Sequence, residues 1–501
     1  MELKIQRNKV DALVSVSWCS EDLRFPPNFK FGAASSSYQV EGAWNVSDKS
    51  ESVWDHEVHK RPEIVADGTN GDIACDSYHK YKEDVSIASK LGLHFYRFSI
   101  SWPRLLPTGF PDYISKDGKN YYSNLIDELL DSGIEPVVTL FHWDLPQRLQ
   151  EMGGWTNPLI ADWFADYSRV VYSLYADRVK TWITINEPII ICEGSFVSGP
   201  VTPRLSDPPF ENYICNKHTL LAHAKAWRVY DEEFRAQYNG QVAIDNHAVW
   251  YEAASPDDEE MAEITMQYIV GRYSHAIYSA EGGWPPEIER IVAENSKKQG
   301  FRRSRLPAFT KEEIQLVKGT YDYYAVNHYT SRLVRKAKPG QKIGQGLLEG
   351  AKEYGAVFEG HADWPQSVSK WLLVNPTGIR NQLKWLKQRY GDLKFFIAEN
   401  GFPRLIDGLE DDDRVDFYKK YLAEVLRAIR EDGVNVVAYT AWTLMDNFEW
   451  VEGLRVKFGL YQVDFADPER KRTPRKSAHY YRSVIEHHSL DVPDQYAHTE
   501  L

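Results

Sequence analysis

The chain has 501 residues, 43% of them hydrophobic and 26% charged, with a formal net charge of −13. That acidic balance argues against nucleic acid or an anionic membrane as a partner, and no apolar run is long enough to cross a bilayer. The length exceeds a small domain but suits one α/β barrel with insertions.

Residues 1–24 carry Lys4, Arg7 and Lys9 ahead of a short apolar stretch from Ala12 to Cys19. That stretch is weak for a secretory leader, so this part reads as an N-terminal extension. From residue 25 onward, short apolar runs alternate with longer segments whose apolar residues recur at three and four positions. The runs read as strands over 30–34, 95–101, 136–142, 181–186, 242–248, 321–327, 394–398 and 434–442. Helical patterns lie between them, including 121–131, 158–176, 216–237 and 416–431. No linker or low-complexity tract divides the chain. Eight βα units are the number that closes a (β/α)8 TIM barrel, so the expected architecture is a single such domain over 25–490. Long connections, notably 332–375, are expected to wall the C-terminal face. Residues 491–501 read as a tail.

Cys19, Cys75, Cys192 and Cys215 show no CxxC spacing, which argues against zinc and redox motifs. They read as buried thiols, with one disulfide as the alternative. The chain ends His498-Thr499-Glu500-Leu501, one residue from an HDEL retention signal. With the lone sequon Asn45-Val46-Ser47, this leaves the secretory route and the cytoplasm both open.

The polar residues of interest gather at the ends of the strands, the face on which barrels of this kind carry their sites. Gln39 follows the first strand and Arg97 lies in the second. His142 closes the third, Asn186-Glu187 the fourth and Glu399 the seventh, while Tyr329 follows the sixth and Trp442 ends the eighth. Glu187 and Glu399 each end an apolar run and precede a breaker, Pro188 or, one residue on, Gly401. Two carboxyl groups brought together by a fold are the minimum equipment for cleaving a glycosidic bond: one protonates the leaving oxygen and the other attacks the sugar. On this reading Asn186 bonds a sugar hydroxyl, and Arg97 and Tyr329 keep Glu399 ionised. Trp442 offers a stacking floor and Glu449 a bidentate acceptor, with His142 and Gln39 bonding further hydroxyls. The bland alternatives are a solvated strand-end carboxylate, a structural arginine and core aromatics. No HxH, HExxH or Cys/His grouping points to a metal, and no cofactor is implied.

The motifs resemble those of glycoside hydrolase family 1, the β-glucosidase family. The likeness runs from about Phe25 to Ile485. It includes residues 29–44 with Gln39, the Thr184-Ile185-Asn186-Glu187-Pro188 segment, the Ile397-Ala398-Glu399-Asn400-Gly401 segment, and Trp442 to Trp450. Residues 71–84 and 327–334 look most like insect members, among them myrosinase-like ones that cleave thioglucosides. The resemblance implies a retaining β-glycosidase without cofactor, with Glu187 as acid/base and Glu399 as nucleophile. It further implies that Gln39, His142, Asn186, Trp442, Glu449 and Trp450 bind the glycone, that Arg97 and Tyr329 steady the nucleophile, and that Trp371 stacks on the aglycone. The partner implied is a small β-glucoside or oligosaccharide; a homodimer is left open. A thioglucosidase, a transglycosidase or a non-catalytic sugar-binding relative are the alternatives. Three departures stand out: Ala398 where Thr is usual, His247 where Asn is frequent, and an unusual 198–203 loop. Arg332 matches a position that holds the glucosinolate sulfate in thioglucosidases, whereas Glu193 stands where its lysine partner would be. A carboxylate there is expected to repel a sulfate.

Overall fold

The computed structural model describes residues 23–194 and 210–492. The extension through residue 22, the 198–203 loop, Cys19 and the His498–Leu501 terminus lie outside the described residues.

Eight parallel strands close a barrel: β1 (Lys30–Ala34), β2 (Phe95–Ser99), β3 (Glu135–Phe141), β4 (Thr181–Asn186), β5 (Gln241–His247), β6 (Tyr324–Asn327), β7 (Phe395–Asn400) and β8 (Val436–Ala441). Each pairs with its neighbours in sequence, and β8 returns to β1, as the sequence predicts. The strand beginning at Tyr324 starts three residues later than its apolar run. Asp322 ties off the approach instead: its backbone N–H donates to Val242 O at 3.0 Å and its carboxylate accepts from Val242 N at 2.8 Å.

Helices cover the outside. The one over Lys116–Asp131 begins before its apolar periodicity, with Ser115 accepting from Gly118 N at 3.0 Å as its cap. The helix over Asp412–Arg430 likewise begins four residues ahead of the predicted start, on Asp412 and Asp413. Acidic residues suit a helix N-terminus, but apolar periodicity cannot see them. The 216–237 pattern is in fact a helix over Glu211–Val229 that continues through a π turn, Tyr230–Phe234.

The barrel interior has two levels. A plug of Phe95, Val137, Ile183, Ala243, Ala325 and Phe396 fills the lower end. Two residues further along each strand, the same inward parity brings in Arg97 on β2, Thr139 on β3, Asp245 on β5 and Asn327 on β6. On β4 and β7 the pairing register shifts, between Ile183 and Asn186 and between Ile397 and Glu399. Ile183 lies in the plug while Ile185 packs outward against the helices, so the irregularity turns Asn186 inward. On β7 Ala398 lies in the plug and Glu399 follows it inward to reach Arg97. Bulges re-aim side chains in this way.

The 332–375 connection does wall the mouth, as predicted, but it carries structure of its own. Ser331–Lys336, Gly350–Ala351 and Ala356–Glu359 join Trp250–Ala253 in a four-stranded sheet. The cysteine expectation needs correction: Cys192 and Cys215 form a disulfide, and Cys75 alone among the described cysteines is a buried free thiol. The bond joins the short helix Pro188–Glu193 to the helix Glu211–Val229, a proximity that a separation of 23 residues does not reveal.

The loop after β8 is anchored beneath by Asp446. Its carboxylate takes both ends of the Arg475 guanidinium, at 2.8 and 2.7 Å, and the Gly459 N–H at 3.0 Å, all fully buried. Asp446→Ala should therefore destabilise the fold by about 3–5 kcal/mol, because it strands a buried guanidinium. Denaturant unfolding checks this, and wild-type stability in that variant would refute it.

Candidate active site

Glu187 ends β4 with φ at 45°, a left-handed conformation, and begins the helix Pro188–Glu193. Its own N–H donates to Asp245 O at 2.9 Å. The carboxylate Oε1 accepts from Asn327 Nδ2 at 2.8 Å and meets His247 Nδ1 at 3.1 Å. His247, the departure on β5, thus supplies the local hydrogen bond itself.

Glu399 is held differently. Arg97 Nη1 donates to Oε1 at 2.7 Å, and the Tyr329 hydroxyl donates to Oε2 at 2.8 Å. Gly401 follows because a Cβ there would collide with the Trp442 carbonyl oxygen, where β7 and β8 converge. Both contacts expected to keep Glu399 ionised are present and act in that direction. Burial nevertheless pushes its carboxyl well above the ordinary range, with Arg97 opposing and the Glu187 and Asp245 charges adding to the rise. The same causes lift Asp245 to about 7. Glu399 and Asp245 share the Arg97 guanidinium, so the two titrate as a pair.

Asn186 fixes the imidazole. Its Oδ1 accepts from Arg97 Nη2 at 2.6 Å, which sets the amide orientation, so Nδ2 faces His142 Nε2 at 3.2 Å. The His142 Nε2 is therefore an acceptor, and Nδ1 carries the proton. Burial, then Arg97, holds this imidazole neutral. It lies flat between Trp442 and Trp450, with ring centroids 5.8 and 6.0 Å away.

Glu187, Glu399, His142, Tyr329, Trp442 and Glu449 face one cavity of about 490 Å³, together with Trp371 and Trp450. Arg97, Asn186 and Gln39 lie behind that wall. Gln39 Nε2 donates to Glu449 Oε2 at 3.3 Å and to the Phe448 carbonyl at 3.1 Å, so it steadies Glu449. Burial first, then Glu452, lifts the Glu449 carboxyl to about 8. Ile190, Leu347, Leu348, Val451 and Phe458 line the same cavity along with Gln345, Glu349 and Glu452, and the Trp371 ring meets Tyr329 edge-on at 5.5 Å.

Glu193 also lines the cavity, but its charge is already matched. Arg272 Nη2 donates to it at 2.7 Å and Asn212 Nδ2 at 3.2 Å. The expected repulsion of a sulfate is thereby weakened, because a neutral ion pair replaces a bare carboxylate. Arg332 is buried, donating to Thr330 Oγ1 at 3.0 Å, Ser331 O at 2.7 Å and Trp371 O at 2.6 Å. Its guanidinium braces the Trp371 segment.

Sequence reading missed Trp143, Asn327 and Asp245. Trp143 lines the cavity and donates from Nε1 to Asn186 O at 3.0 Å. For Asn327 and Asp245 the signal was available: both are polar residues at the inward parity of apolar strands. Among the described residues no group of three or more His, Cys, Asp or Glu could hold a metal ion, and no helix is long and apolar enough to cross a membrane.

The sequence profile of glycosyl hydrolase family 1 matches residues 21–490. Myrosinase 1 of Brevicoryne brassicae is 44% identical over 468 residues, covering 93% of this chain and 99% of that protein. The human cytosolic beta-glucosidase is 38% identical over 474 residues, covering 94% and 100%. A rice beta-glucosidase mutant solved in a covalent complex with glucose superposes with a TM-score of 0.84 at 31% identity, covering 92% of this chain and 99% of that one.

The Tyr329 contact generates a test. Its hydroxyl favours the charged form of Glu399, so Tyr329→Phe should push that carboxyl further up. The acidic limb of kcat/KM for an aryl glucoside should move to higher pH, with a loss of about 10²–10³-fold in rate. A limb that stays in place would show that the hydroxyl does not act on Glu399.

Proposed function

The chain belongs to glycosyl hydrolase family 1 and is an O-glycosyl hydrolase, a retaining β-glycosidase of terminal β-D-glucosides; from that premise we propose that Glu399 is its nucleophile and Glu187 its acid/base. The observation that carries the assignment is the unequal support of two carboxyl groups on one cavity. Glu399 lies against a guanidinium and a phenol, which favour an anion. Glu187 lies against an amide and an imidazole, and neither contact is an arginine or a lysine.

As the acid, Glu187 enters the reaction protonated. Glu399 attacks the anomeric carbon, the glycosidic C–O bond breaks, and the Glu187 proton passes to the departing oxygen. Glu187 then takes a proton from water, which attacks the anomeric carbon and releases Glu399. Two displacements at one carbon return the original configuration. On this reading His142 and Glu449 bond sugar hydroxyls and Trp442 and Trp450 pack on the ring, while Asn186, behind the wall, orients His142.

Trp371 and the apolar side chains of the cavity support a flat, apolar and neutral aglycone. Neither Arg332, spent on Thr330, Ser331 and Trp371, nor Glu193, paired with Arg272, offers a free cation to a sulfate. The thioglucosidase reading is therefore not favoured. We also infer passage through an oxidising compartment, on the Cys192–Cys215 bond and the exposed Asn45 of the sequon.

A mechanism-based fluorosugar should label the peptide that contains Glu399. Glu187→Gln should leave glycosylation by a dinitrophenyl glucoside fast while cellobiose turnover collapses, since an acid matters in proportion to the basicity of the leaving oxygen. Label elsewhere, or equal losses on both substrates, would overturn the assignment. For specificity, kcat/KM for an aryl O-glucoside should exceed that for allyl glucosinolate on the same preparation; the reverse ranking would mean that another group holds the sulfate.

A further inference from the structure

Arg97 serves two carboxylates, not one. Its Nη1 donates to Glu399 at 2.7 Å, and its Nη2 stands 3.1 Å from Asp245 Oδ2. The remaining N–H groups are committed to Thr139 Oγ1 at 3.1 Å, Ala398 O at 3.0 Å and Asn186 Oδ1 at 2.6 Å. Four of the five N–H groups thus make hydrogen bonds, and the contact with Asp245 is an ion pair without one. Asp245 is 0% exposed on β5, and it lies outside the lining of the cavity, so it does not reach substrate.

We propose that Asp245 is a positioning residue that sets the acid edge of activity, by competing with Glu399 for the charge of Arg97. The proposal rests on the assignment of Glu399 as nucleophile. Where Asp245 has lost its proton, it draws the guanidinium to itself and makes a second negative charge at Glu399 more costly in the same buried space. A side chain of the same shape without the charge leaves Arg97 whole for Glu399. The groups that bear on Asp245 come from every side: Arg97 on β2, Glu187 after β4, His247 on β5, Asn327 on β6 and Glu399 on β7, with the phenols of Tyr278, Tyr323 and Tyr324 below. Arg97 is the strongest positive influence among them, and His247 a weaker one. The charge at Asp245 and its part in raising Glu399 agree with that geometry.

The test is the pH dependence of fluorosugar inactivation, which reads the nucleophile alone and needs no turnover. Asp245→Asn keeps the size and an acceptor for Arg97. Its acidic limb should fall by about one pH unit, opposite in direction to Tyr329→Phe. Asp245→Ser, smaller and uncharged, should move the limb the same way and provides the reading if the amide does not fold. Thermal unfolding establishes which variants are folded. A folded variant whose limb stays put, or rises, overturns the proposal, even if its rate falls. Peptide mapping separates the two failures. Label on Glu399 with an unmoved limb removes only the role of Asp245, whereas label on another residue removes the nucleophile assignment beneath it.

Discussion

The site depends on one buried guanidinium. Arg97 leaves β2 and touches Thr139 on β3, Asn186 on β4, Asp245 on β5, and Ala398 and Glu399 on β7. Five of the eight barrel strands are thus tied at one level through a single rigid fork. A planar group with five donors at fixed angles can do this; an ammonium on a flexible stem has neither the reach nor the directions. The same contacts orient the Asn186 amide, and through it the His142 imidazole. The positions of Glu399, Asn186 and His142 are therefore not independent. They follow from where Arg97 sits, and that follows from the inward parity of β2 above Phe95.

The barrel supplies that parity everywhere except where the chemistry needs something else. Regular alternation puts Arg97, Thr139, Asp245 and Asn327 inside. On β4 and β7, strict alternation would give the inside position to Ile185 and turn Glu399 away. The register shifts on those two strands exchange the faces. The two irregular strands are the two that carry the candidate acid/base and nucleophile. A one-residue slip in a strand moves its side chains to the other face, so a local bulge is the smallest change that brings the carboxyl groups in without disturbing the remaining six strands.

Much of this was legible in the chain. Apolar runs at regular spacing gave eight strands, and polar residues at their ends gave the site's face, because burial on both sides of a parallel sheet leaves a strong compositional mark. Glu187 and Glu399 could be picked out because each ends such a run before a breaker. What stayed hidden depends on contacts between distant segments. The Cys192–Cys215 bond needs two helices to meet. The pairing of Glu193 with Arg272, 79 residues away, changes a bare charge into a neutral one. The 332–375 region read as loop because its strands are short and pair with Trp250–Ala253 across a wide gap in sequence. Asp245 was passed over although its inward parity was readable, because an acid inside a strand normally argues against burial; the guanidinium beside it is what the fold adds.

The site also concentrates departures from what a stability-minded sequence would choose. Glu187, Trp143 and Trp450 line the cavity with positive φ, at 45°, 74° and 52°, where bulky side chains are strained. Glu399 and Asp245 share one cation, and Glu187 is buried at the same site. Each feature is costly alone, and such strain persists only where the surroundings over-determine it. Here they do. The plug of Phe95, Val137, Ile183 and Phe396 closes the barrel from below, and the Asp446–Arg475 pair pins the loop that carries Trp450. Removing Glu187 or Glu399 would ease that crowding but take away one of the two carboxyl groups that glycoside cleavage requires. A site that must offer one anion and one acid to the same bond needs two carboxyl groups close together, so the crowding belongs to the chemistry and the surrounding rigidity is what lets it persist.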